Sequence, residues 1–127
     1  MSKTAVMDTV NALFRFIDAR DAVAVAELLT DDAAMADEMS QGWVRGKARI
    51  HEFIGTTLAA AEAISSAVSD VVIRESTDHA TVTLTLTQSY VIDGTKTSII
   101  APTSLMLEWV DGQWLICIMQ ASSFADD

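Results

Sequence analysis

Few of the 127 side chains can move a proton, attack carbon or hold an ion, and their spacing narrows them further. Asp37 stands in Met35-Ala36-Asp37-Glu38, an acid met on an apolar stretch. Facing a dry cavity, such a carboxylate has its basicity raised and can act as a general base; at the end of a short strand it merely solvates the chain. Ser104, Gln88, Tyr90 and Gln120 are polar residues inside otherwise apolar runs. On a buried face each needs a partner or costs about 1–3 kcal/mol. A few placed polar groups among apolar walls describe a small-molecule pocket. Turned the other way, the same residues meet solvent or a subunit seam. Both sides of these runs are apolar, so spacing alone leaves that parity open.

The other chemistry-bearing residues carry less. His51 beside Glu52 fits the polar side of a helix, and His79 closes the turn-forming run Ser76-Thr77-Asp78-His79. With Cys117 distant from both, there is no metal-ligand spacing, and neither a metal nor another cofactor is expected. Gly42 to Gly46-Lys47 has the residue types of a phosphate loop, but the spacing is short and Ala48 replaces the required Ser or Thr. Trp109 and Trp114 flank Asp111-Gly112 and suit a cross-strand pair. Trp43, ahead of the third helical segment, is either a lid over core or a stacking surface for a ligand.

Three helical segments and a set of strands must position these residues. Val6, Val10, Leu13, Phe14 and Ile17 mark one face of a helix over roughly 4–19, with Thr4 as a candidate N-cap and Asp8 in the early turns, where the dipole favours an acid. A short helix follows Asp21, a good N-cap, carrying Val25, Leu28 and Leu29 before Thr30-Asp31-Asp32 ends it. A third, from about 47 to 63, aligns Ile50, Phe53, Ile54 and Leu58. The period then changes. Thr81 to Thr87 alternates threonine with Val82, Leu84 and Leu86, the signature of a strand with two unlike faces. Asp93-Gly94 and Asp111-Gly112 are hairpin turns. They divide the second half into strands near 80–92, 95–109 and 113–123, with a further strand near 67–76. Pro102 interrupts one strand and implies a bulge or an edge. Leu105-Met106-Leu107 and Leu115-Ile116-Cys117-Ile118-Met119 are apolar on both faces, so they require two covers, and a second copy of the chain is the simplest second one.

The length suits one domain, 1–127. Half the residues are hydrophobic, and the mean hydropathy is +0.30. That excess must enter a core, a cavity or an interface. The net charge of −10, from 18 acids against 8 bases, disfavours nucleic acid and anionic lipid as partners. No apolar run approaches the ~20 residues of a membrane span. The start, Met1-Ser2-Lys3-Thr4, leads into a pattern broken by Asp8, Arg15 and Asp18, unlike a signal peptide. The single cysteine has no internal disulfide partner, and a cytoplasmic location is expected.

Helices followed by a long antiparallel meander define an α+β architecture. Four stretches carry a more specific likeness: Asp18-Ala19-Arg20-Asp21, Leu28-Leu29-Thr30-Asp31-Asp32-Ala33, Gly46-Lys47-Ala48-Arg49-Ile50-His51-Glu52-Phe53, and Asp111-Gly112-Gln113-Trp114. In this order the chain resembles the nuclear-transport-factor-2-like superfamily, which includes ketosteroid isomerases and SnoaL-type polyketide cyclases. The resemblance implies a cone-shaped α+β barrel, three N-terminal helices packed on a curved antiparallel sheet around an apolar pocket. Within it, ketosteroid isomerase is similar in placing a general-base Asp nine residues before the Gly that precedes the third helix, which here is Asp37 before Gly46. Ile99-Ile100-Ala101-Pro102 and Met119-Gln120-Ala121 are also similar to that family's strands.

The family's oxyanion donors do not carry over. Its helix-1 Tyr falls on Leu13, and its protonated acid falls on Ser104 counted from Ala101-Pro102 or on Thr103 counted from Gly94. Losing one such donor typically costs ~2.7–4 kcal/mol of barrier, so a steroid isomerase reaction is not expected. The resemblance implies Asp37 as the catalytic base and a pocket wall of Leu13, Ile17, Trp43, Phe53, Leu84, Leu86, Tyr90, Ser104, Met106 and Met119. An enzyme of the isomerase or cyclase kind would use Asp37 on an apolar carbonyl compound, with Ser104 or Tyr90 steadying the oxyanion. A non-catalytic binding protein would share the pocket, and a dimerisation module would use the sheet face alone.

Overall fold

The computed structural model describes residues 3–37 and 39–122. Its elements run α1 (Lys3–Asp18), α2 (Ala22–Ala26), β1 (Leu29–Ala36), β2 (Val44–Arg45), α3 (Lys47–Ala60), β3 (Ala63–Glu75), β4 (His79–Ile92), β5 (Thr95–Val110) and β6 (Gln113–Ala121). The fold is α+β, with one six-stranded sheet in the order β2-β1-β6-β5-β4-β3.

Two expectations need correction. The sheet is mixed, because β1 runs parallel to β6. The helices are not one N-terminal block either: among the described residues there are three, and β1 and β2 separate the second from the third. Leu28 and Leu29 continue the apolar spacing of Val25, yet α2 stops at Ala26 and Leu29 opens β1. Pairing against Ile116 of β6 outweighs what a five-residue helix gains from one more turn. Thr4 lies inside α1 rather than capping it. Asp21 does cap α2, its Oδ1 accepting the Ala24 N–H at 3.1 Å.

The meander follows its turn chemistry. Asp93-Gly94 and Asp111-Gly112 have positive φ at both positions, the mirror-image turn whose twist matches paired strands. Trp109 and Trp114 stand opposite each other across the second turn, ring centroids 5.4 Å apart in an edge-to-face arrangement. Pro102 lies on an interior strand, but β5 outruns β6 there. Its carbonyl accepts from Ser122 just beyond the last pair of the ladder, so the missing N–H falls where that ladder ends.

Strand parity divides the sheet. Val82, Leu84 and Leu86 of β4 and Ala101, Thr103, Leu105 and Leu107 of β5 are buried, facing α1 and α3. The alternate residues face away: Thr81 pairs with Met106, which pairs in turn with Ile118, and Thr83 with Ser104, which pairs with Gln120. A bulge opposite Met106 and Leu107 resets β6, so Trp114 and Ile116 face inward before it and Met119 and Ala121 after it. Val6, Val10 and Leu13 of α1 and Ile50 and Ile54 of α3 complete the core. No described helix is long and apolar enough to cross a membrane.

Candidate functional site

Between the helices and the inner face of the sheet lies a cavity of about 160 Å³. Each element contributes at its own period. Leu13 and Ile17 come from one face of α1, and Phe53, Ile54, Thr57 and Leu58 from one face of α3. Leu86 and Gln88, Thr103 and Leu105, and Met119 and Ala121 follow the two-residue repeat of β4, β5 and β6. Met35, Ala36 and Asp37 close the ring from the end of β1.

Asp37 follows β1 in the inward parity of Met35. One carboxylate oxygen organises the next turn: Oδ1 accepts the N–H groups of Met39 at 2.9 Å and Ser40 at 2.8 Å. The Asp37 N–H in turn donates to Ser40 Oγ at 2.9 Å. The Ser40 hydroxyl lies 2.7 Å from the Gly42 carbonyl and 3.0 Å from that of Asp37. Among the described residues Oδ2 has no partner, which leaves Asp37 one bound and one available oxygen. Both readings of this acid therefore hold something: it builds its own loop, and it lines the cavity. Glu38 lies outside the described residues.

Of the other polar lining groups, Thr103 is buried and its hydroxyl donates to the Ala101 carbonyl at 3.0 Å. Thr57 donates to the Phe53 carbonyl at 3.0 Å. Both hydroxyl protons are engaged, so toward a ligand these oxygens offer lone pairs. Gln88 Nε2 donates to Ser66 Oγ at 3.1 Å, and its second amide N–H is not used among the described residues. Gln120 also lines the cavity, although its side chain shares the outward parity of Ser104 and is exposed.

Several residues expected around the pocket lie elsewhere. Ser104 and Met106 are on the outer face, exposed, because the inward parity of β5 is that of Ala101, Thr103 and Leu105. The count from Gly94, which falls on Thr103, is the one that reaches the interior. Leu84 is inward but packed into the core, away from the cavity wall. Tyr90 has inward parity too, opposite Ile64, and does not line the cavity. Trp43 is 47% exposed, with the Arg45 guanidinium 5.5 Å from its ring centroid. It lines a separate open groove with Met39, Arg49 and Glu52, which shares Phe53 and Thr57 with the cavity.

Of the polar lining residues the sequence leaves Thr57 alone unassigned; it offers Gln88 as a polar residue of open parity and Thr103 as one of two counts for the acid position. The alternation Val82, Leu84, Leu86 extends to Gln88 and is the signal that identifies it; Thr57 follows Phe53 by one helical turn. His51 and His79 are exposed, the latter with Nδ1 2.7 Å from Asp78. Among the described residues no group of His, Cys, Asp and Glu could hold a metal. Burial, reinforced by Glu108, pushes the Cys117 thiol above its ordinary pKa.

Three helices over one mixed sheet, with a partly open cavity between them, make a small α+β domain, and the comparisons give its family. The profile of the SnoaL-like domain family matches residues 6–127, and the chain belongs to that family. No curated protein matches it. Solved structures do. A proposed dehydratase of the nuclear-transport-factor-2-like family from Streptomyces avermitilis superposes with a TM-score of 0.88 at 14% identity, over 97% of this chain and 96% of that one. A ketosteroid isomerase-like protein from Erwinia carotovora atroseptica gives 0.83 at 17%, over 97% and 96%. A proposed calcium/calmodulin-dependent protein kinase II association domain from Xanthomonas campestris gives 0.85 at 18%, over 96% and 87%. At these identities the likeness is one of fold, within the nuclear-transport-factor-2-like superfamily.

Proposed function

We propose that the chain acts on a small apolar carbonyl compound held in the inner cavity, with Asp37 as general base of an isomerase- or cyclase-type reaction. The observation that carries this reading is a cavity whose walls are mostly apolar and whose lining includes one carboxylate, Asp37. A carboxylate among apolar walls is placed to meet a carbon-bound proton of an apolar ligand, which is what a general base needs. Asp37 would take a proton from the carbon next to the carbonyl, the electron pair moving onto the carbonyl oxygen as an enolate. The proton would return at another carbon in an isomerisation, or the enolate carbon would attack an electrophile in a cyclisation.

Size selects the substrate class. A cavity of about 150 Å³ takes benzene, so the 160 Å³ here suits a single ring or a short chain rather than a fused polycycle. Leu13 at the phenol position and Thr103 at the acid position remove the two donors of a steroid isomerase. The test is deuterium uptake at the α-carbon of cyclohexanone in D₂O, followed by proton NMR. The expected result is protein-dependent exchange that Asp37→Asn abolishes, since an amide cannot act as the base. Exchange equal in the two proteins overturns the assignment of Asp37. Binding without exchange in either supports the alternative, a non-catalytic binding domain of the same fold.

A homodimer through the outer sheet face accompanies this reading. Met106 and Ile100 are 39% and 55% exposed there, and Val72 is 50% exposed on β3 of the same face. Threonines of β4 lie between Val72 and the β5–β6 stripe. A second copy of the chain would cover these residues, and the structural neighbour named as an association domain is consistent with that use of the fold. Light scattering should give twice the chain mass at micromolar concentration; a monomer removes the proposal.

A further inference from the structure

Asp18 is the last residue of α1, where the helix dipole disfavours an acid. Its neighbours account for it. Asp18 Oδ1 accepts the Ser66 hydroxyl at 2.6 Å, and Oδ2 accepts the Ser66 backbone N–H at 3.0 Å. This two-point clamp commits the only proton of Ser66 Oγ to Asp18. The lone pairs of Oγ then face Gln88, which stands directly opposite Ser66 on β4 and donates from Nε2 at 3.1 Å. The order of donors fixes the carboxamide. A flipped Gln88 would set its oxygen against an Oγ with no proton to give, so the clamp selects one of the two amide orientations.

That selection matters because of where Gln88 is. It lines the cavity, and the Thr57 and Thr103 hydroxyls beside it have their protons engaged by backbone carbonyls. The second Gln88 N–H is thus the side-chain donor that the cavity's inward polar residues can offer a ligand oxygen. Asp37 and Gln88 reach the cavity from β1 and β4, which β6 and β5 separate in the sheet.

We infer that Asp18 and Ser66 are positioning residues that hold the Gln88 carboxamide as the carbonyl-recognising donor of this cavity. The inference rests on the proposed carbonyl-compound reading and names the group that would meet the carbonyl oxygen. Asp18 donates nothing to the ligand itself. It keeps the Ser66 proton occupied, and Ser66 keeps Gln88 turned.

The experiment compares cyclohex-2-enone with benzene, a ring of similar size without an oxygen, by NMR titration of the same protein. Benzene reports the integrity of the cavity, and the preference for the enone reports the donor. Gln88→Leu should reduce that preference about three- to tenfold, the worth of one neutral hydrogen bond. Ser66→Ala and Asp18→Asn should reduce it about two- to fivefold through the loosened carboxamide, and Ser66→Thr, which keeps the hydroxyl, should restore it. The infrared carbonyl stretch of bound enone should lie below its free value in the wild-type protein and move back toward it in Ser66→Ala. Enone preference and carbonyl stretch unchanged in Ser66→Ala and Asp18→Asn, with benzene still bound, overturn the relay and spare the wider reading. Failure of the wild-type protein to bind either ring overturns both.

Discussion

The two faces of β5 are built from one strand and meet different fates. Inward, Ala101, Thr103, Leu105 and Leu107 are at most 6% exposed; outward, Ile100 and Met106 are 55% and 39% exposed. Neighbouring residues of the same apolar character thus do unlike work. Leu105 closes the cavity and core, whereas Met106 adds little to the fold of a single chain. The difference shows that hydrophobicity alone does not mark a site residue here; parity against the helices does. It also explains why a hydroxyl at position 103 is buried beside the cavity and one at 104 is not.

The sharpest way to break this comparison is truncation on each face. Leu105→Ala should lose about 2–5 kcal/mol of stability in urea unfolding, as large-to-small changes in a packed core do. Met106→Ala should change the unfolding of the monomer by less than about 0.5 kcal/mol. Equal losses would mean that the outer face is as covered as the inner one within a single chain.

Next in size is the loop that Asp37 holds. Asp37→Ala removes the acceptor for two backbone N–H groups and should cost about 1–2 kcal/mol, whereas Asp37→Asn keeps an oxygen there and should cost well under 1. Both variants should lose α-proton exchange. Melting curves read beside exchange rates therefore separate the acid's scaffolding from its chemistry. Full exchange by Asp37→Asn would assign the residue to scaffolding alone.

On the outer face, Met106→Glu should leave the melting of the monomer nearly unchanged while shifting light scattering toward the mass of one chain. A charge is tolerated in water and not in a dry seam. An unaltered dimer would place the interface elsewhere.

The smallest effect concerns Cys117. Its raised pKa means less thiolate at a given pH, so iodoacetamide should react more slowly at pH 8 than with a free cysteine. The folded state holds this proton more tightly than the unfolded chain. Its contribution to stability is therefore complete below the unfolded pKa and lost as pH climbs through the folded one. Cys117→Ser should flatten that alkaline loss. Alkylation as fast as that of a free thiol would contradict the burial.

Much of this was legible in the residues. Thr81 to Thr87 announced the two faces of β4, the Asp-Gly pairs fixed the last two turns, and Asp21 marked the start of α2. What escaped depends on distant partners. Leu28 and Leu29 read as helix because nothing local reveals that Ile116 will pair with Leu29. Ser104 competed with Thr103 because Leu105, Met106 and Leu107 are apolar without alternation, so a count from one turn disagreed with a count from Ala101-Pro102. The bulge near Cys117 reverses parity within β6, which no spacing in Leu115 to Met119 reveals. Asp18 and Ser66 lie 48 residues apart, and their types alone do not join them.

The parallel pairing of β1 with β6 has a consequence in time. Met35, two residues before Asp37, is held beside Met119, a strand partner made almost at the other end of the chain. Contacts so far apart in sequence carry a large loop-closure cost and form late. The hairpins of β3 to β6 close over short turns and can assemble first. Asp37 is thus carried on a segment that finds its place only after the meander exists. A growing chain that has not yet released β6 lacks the strand that joins β1 to β5, and so has no finished cavity.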